Sequence, residues 1–141
     1  MNATQQQAIT VTSAINSLKD LHKKVVASLE ATVNATSPVG TLTVSSDAIS
    51  CLCLDHNVTA TFRPIVIDGK ISALEYDFVT PWKKEEISIL RLYLQPGGII
   101  TRDARGTEKL CDFNNTYIKN FVLGAVFESL LKSYVYAPVE G

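Results

Sequence analysis

The chain has 141 residues, 46% hydrophobic and 19% charged, and its 13 basic and 14 acidic side chains leave a net charge of -1. That length and apolar content predict one domain over residues 1–141 with its own core, and they exclude a disordered chain. The balanced charge, with no basic run longer than Lys23-Lys24 or Lys83-Lys84, excludes the strong positive field that neutralising nucleic-acid phosphates requires.

The opening MNATQQQAIT carries no basic residue ahead of an apolar stretch, so it does not read as a secretory leader. From Ala8 onward, Val11, Ile15, Leu18, Val25 and Leu29 fall at three-four spacing, widened by Ala14, Leu21 and Val26. This predicts one long amphipathic helix over about residues 4–33, with Asn16, Lys19, Asp20, Lys23, Lys24 and Glu30 on its solvated side. Pro38 and Gly40 in NATSPVG then stop the helix.

Between about residues 41 and 113 the period changes to two, with β-branched and aromatic residues between turn dipeptides. The predicted strands are 41–46, 49–54, 57–67, 70–79, 86–95 and 98–103, with a further short candidate near 108–112. Asp68-Gly69 marks a two-residue hairpin, and Pro96-Gly97 a tight turn in which glycine takes the positive φ. Leu74, Tyr76 and Phe78 alternate with Glu75 and Asp77, and Leu90, Leu92 and Leu94 with Arg91, Tyr93 and Gln95. One face is therefore apolar and the other wet, as in an antiparallel sheet covered on one side. Strict pairing across Asp68-Gly69 would set Tyr76 opposite Thr61, so a bulge at Arg63-Pro64 is expected to bring Phe62 onto the apolar face.

TPWKKEE (80–86) puts the single tryptophan among charges; Thr80 can cap a short helical turn starting at Pro81, with Trp82 covering the sheet or anchoring a partner. A last helix is expected over about 115–135, capped by Asn114 or Asn115. Leu123, Phe127, Leu130 and Tyr134 line one side of it, and Ile118, Phe121, Val122 and Ala125 a second, so two apolar sides need two partners. FVLGAVFESLL, the longest apolar stretch, is too short to span a membrane and contains Glu128.

Signatures of chemistry are sparse. Cys51 and Cys53 share a strand face near His56, but only Cys111 and His22 remain to complete a zinc site, and small buried strand residues are the plainer reading. Three cysteines are also too few for a disulfide framework. Glu75 and Asp77 project from one face, where Arg91 on the next strand can balance them. TRDARGTEK could offer Arg102 and Arg105 to an anion, although its charges balance within the loop. Neither GxGxxG, a phosphate loop nor GxSxG occurs. No catalytic residue, metal ligand or cofactor is assigned.

The order helix, meander, helix predicts a two-layer α+β domain: a five- to six-stranded antiparallel meander with both helices on one face. The function expected is that of a small, soluble, cytoplasmic, non-enzymatic binding or assembly protein of the inhibitor, immunity, chaperone or phage accessory type. Its contacts would involve Trp82, Lys83, Lys84, Arg102, Arg105, Phe121 and Val122, with a protein partner or a second copy as occupant and neither nucleic acid nor membrane. The alternative is a cup of the cystatin-like or nuclear-transport-factor-like kind, to which no residue motif ties the chain. Its small-molecule pocket, with room for enzymatic chemistry, would be lined by His22, Tyr76, Tyr93, Tyr117 and Tyr134.

Overall fold

The computed structural model describes residues 2–31, 40–45 and 48–133. Helix α1 (Ala3–Ala31) is followed by seven strands and then by α2 (Ile118–Leu131). The strands are β1 (Gly40–Ser45), β2 (Ala48–Cys53), β3 (His56–Ile67), β4 (Lys70–Trp82), β5 (Glu85–Leu94), β6 (Ile99–Thr101) and β7 (Lys109–Asp112). They pair in chain order as one antiparallel sheet, so the count is seven and not five or six; the short segment near 108–112 is a full member, β7.

Both helices lie on the apolar face, as the alternation in β4 and β5 requires. α2 touches β1 and β2 at one end of the sheet and β5 and β7 towards the other, which a flat sheet of seven strands could not permit. The sheet therefore curls around α2. Three bulges supply the extra local twist, and they leave Ser72 of β4, Ile89 of β5 and Leu110 of β7 without a Cα partner. The first of them does what the hydrophobic pattern demands, setting Phe62 opposite Tyr76, but the extra residue lies on β4 and not at Arg63-Pro64. β4 can absorb it because Ile71 and Leu74, three apart, then both face the core.

The core between sheet and helices holds Leu18, Val25 and Leu29 from α1, Leu74, Phe78, Leu92 and Leu94 from the central strands, and Ile118, Leu123, Val126 and Leu130 from α2. α1 starts one residue earlier than its apolar pattern indicates. The Gln5 amide donates to Asn2 Oδ1 (2.9 Å) and the Asn2 amide to Gln5 Oε1 (3.1 Å), a reciprocal cap that satisfies two otherwise orphaned donors. α2 begins three residues later than expected. Asn115 Oδ1 accepts from the Tyr117 amide (2.8 Å) within a preceding turn, and Tyr117 precedes the helix without a side-chain cap.

Two turns differ from their expected form. Thr80 does not cap a helical turn: β4 runs on to Trp82, and Lys83-Lys84 form a two-residue hairpin turn with φ of 50° and 74°. The Thr80 hydroxyl instead donates to the Asn57 carbonyl oxygen at 2.9 Å, because the long β4 overlaps the start of β3. After β5 the positive φ falls on Gly98 (87°), one residue beyond the Pro96-Gly97 pair. A side chain at Gly98 would also meet the Phe113 ring, 2.6 Å from where its Cβ would lie.

Candidate functional site

Of the five residues expected to line a pocket, the four among the described residues do not converge. His22 and Tyr76 do meet: α1 sets His22 down on β4, where its Nδ1 lies 2.7 Å from the Tyr76 hydroxyl and its ring 4.2 Å from the centroid of Phe62. Both are buried within the filled core, and that burial pushes the Tyr76 phenol well up from its ordinary range. Tyr93, one residue on from Leu92, points to the opposite face of the sheet. There burial and then the Glu75 carboxylate push its phenol up. Tyr117 is exposed ahead of α2, and Tyr134 lies outside the described residues.

On that outer face the paired carboxylates are matched by cations. Glu75 Oε1 receives Arg63 Nε at 3.0 Å, and Asp77 accepts from the Ser88 hydroxyl with Arg91 Nε 3.8 Å away. Glu75 is nonetheless buried, 6% exposed, where the alternation predicted a wet position, so Arg63 neutralises a covered carboxylate; the more exposed Arg91–Asp77 pair contributes little net stability.

Trp82 is half-buried and packs against the core cluster, with Lys83 Nζ 5.5 Å from its ring centroid. It therefore packs on the protein's own core, while Lys83 and Lys84 stand exposed at the hairpin tip. The loop after β6 is organised from within: Asp103 accepts from the Glu108 amide (2.7 Å), the Thr107 hydroxyl (2.7 Å) and the Thr107 amide (3.1 Å), which together hold its carboxyl below the usual range. Gln95 donates to the Ala104 carbonyl oxygen (3.3 Å), tying this loop onto the sheet. Arg102 faces Glu128 of α2 at 3.9 Å and Arg105 faces Asp68 at 4.0 Å, so both guanidiniums have carboxylate neighbours.

Both apolar sides of α2 find cover within the chain. Ile118, Val122 and Ala125 are buried along with Leu123, Val126 and Leu130, because the curled sheet and α1 reach around the helix. Val122, 4% exposed, offers no surface to a partner. What stays open is narrower: Tyr117 (64% exposed), Phe121 (40%) and Leu131 (51%) fall on one stripe with Glu128. At its middle sits Gly124, where an added Cβ would meet nothing within 4 Å. Leu131 and Tyr117 escape notice as surface residues in the sequence, since α2 is apolar nearly all round. Their shared phase with Phe121 at helical spacing is the signal that finds them.

All three thiols face inward. Burial pushes Cys51 up to about 12 and Cys111 to about 11, and raises Cys53 as well, so none is poised as a nucleophile near neutral pH. Among the described residues no group of three or more His, Cys, Asp or Glu could hold a metal ion, and no helix is long and apolar enough to cross a membrane. No family model matches the chain, and neither curated proteins nor solved structures give a match.

Proposed function

We propose that this is a small non-enzymatic binding or assembly protein whose partner, another protein, docks on the outer stripe of α2. The observation that carries the reading is the open line Tyr117, Phe121 and Leu131 around Gly124, bordered by the Arg102–Glu128 pair. Two aromatic rings and a leucine beside a glycine saddle, rimmed by charge, have the make-up of a protein-contact hot spot. The balanced surface charge supports a protein partner over nucleic acid or an anionic membrane. In this reading the role is cytoplasmic and of the inhibitor, immunity, chaperone or phage accessory kind, with Lys83, Lys84 and Arg105 contributing at most to the rim.

The cup with a small-molecule pocket draws less support, because among the described residues of its lining only His22 and Tyr76 meet, and they do so inside the packed core. Capture of binding proteins from the native host, with wild type and Phe121→Glu side by side, tests the proposal. A protein held by wild type and lost by the variant, with the two melting at the same temperature, is the expected result. Equal retention by both would remove the α2 stripe as the site.

A further inference from the structure

We infer that the first half of α1 is a self-association site whose occupant is the same segment of a second copy of this chain. This deepens the assembly reading above and rests on it, but it uses a different surface. Leu18, His22, Val25 and Leu29 bury the second half of the helix against the sheet. The stripe they belong to continues towards the helix start through Ile15, Val11 and Ala8, where the side chains are half-buried or exposed, and Ile9 stands 56% exposed beside them.

Three observations select a second copy. All 13 basic and 14 acidic side chains lie at or after Lys19, so the helix segment itself carries no side-chain charge. A neutral stripe meets its own copy without like-charge repulsion, and it has no charge with which to choose a charged partner. Second, nine of the fifteen residues 3–17 are Thr, Val, Ile, Ser or Asn, which extend a helix weakly in water even from an anchored end. Yet the helix there is complete and its start is closed by the Asn2–Gln5 cap, so packing on this segment is what would hold it. Third, Val11 and Ala14 form an open groove with Gly69, Lys70 and Ile71 at the tip of the β3–β4 hairpin, with Lys70 the single charged residue in its lining and Val66 61% exposed nearby. Ala8 and Ala14 are small enough to let a second helix approach closely.

The arrangement that follows is two-fold: the first halves cross antiparallel near Val11, each entering the other's groove, with their helix dipoles opposed.

Sedimentation of the full chain across micromolar concentrations tests this. Wild type should form a dimer; Val11→Glu should weaken it by about tenfold or more with an unchanged melting temperature at low concentration; Phe121→Glu should leave it intact. Under mild oxidation Val11→Cys should cross-link into a dimer while wild type does not, because Cys51, Cys53 and Cys111 are buried. A wild type that stays monomeric, a Val11→Glu variant that associates as wild type does, or a Val11→Cys dimer that fails to cross-link would each overturn the inference. Dimerisation lost only in Phe121→Glu would overturn it too, while leaving the α2 stripe as a protein-contact site.

Discussion

The two halves of α1 carry one apolar stripe, and the fold treats them differently. From Leu18 to Leu29 the stripe is sealed against β4, β5 and β1, whereas from Ala3 to Ser17 no residue is fully buried. Amphipathic spacing therefore says which side of a helix seeks cover and not whether cover reaches it. That depends on how far along the helix the apolar face of the sheet reaches, and here it reaches from Leu18 to Leu29.

Truncation is the most direct way to break the contrast. Leu29→Ala should cost about 2–5 kcal/mol in chemical denaturation, since it leaves a cavity among fully buried neighbours. Val11→Ala, measured on dilute protein, should cost less than about 1 kcal/mol; equal losses at the two sites would mean that the halves are equally packed. Next in size is Tyr76→Phe, which takes away the hydroxyl that meets His22 Nδ1 inside the core. A loss of about 1–3 kcal/mol is expected, and no change would show that this contact contributes nothing to holding α1 on the sheet.

The covered side also has a pH signature. Burial raises Cys51 from its ordinary 9.0 to about 12, so the native state keeps a proton that the unfolded chain releases. Its stabilising contribution is whole below pH 9 and is lost as pH rises towards 12, by roughly 1 kcal/mol between pH 9 and pH 10. Cys51→Ala should flatten that decline, and an unaltered slope would place its origin elsewhere. The smallest effect belongs to the uncovered end: Asn2→Ala removes the cap and should cost about 0.5–1 kcal/mol, read as faster amide hydrogen exchange over the first turns and not beyond Leu18.

Much of the fold was legible because side-chain period reports burial directly. The alternation in ISALEYDFV and SILRLYLQ requires one apolar face, and the mismatch of Phe62 with Tyr76 under strict pairing requires a bulge somewhere in the first long hairpin. Turn chemistry was harder to read. Lys83-Lys84 adopts left-handed φ without glycine or asparagine, so TPWKKEE carries no local sign of the hairpin that β4 and β5 impose on it. The candidate site was legible only in part: Phe121 could be named from its place on the last helix, but Val122 beside it could not be told apart from it.

The chain alone thus determined that an amphipathic helix and a helix apolar on two sides bracket a meander with one greasy face, because hydrophobic period is a local property written residue by residue. Only the tertiary structure decided that three bulges curl seven strands around α2, burying Val122, closing His22 and Tyr76 into the core and leaving Tyr117, Phe121, Leu131 and the first half of α1 uncovered. The reason is geometric. Curvature sets how far cover extends along each helix, and it arises from pairing between residues distant in the chain.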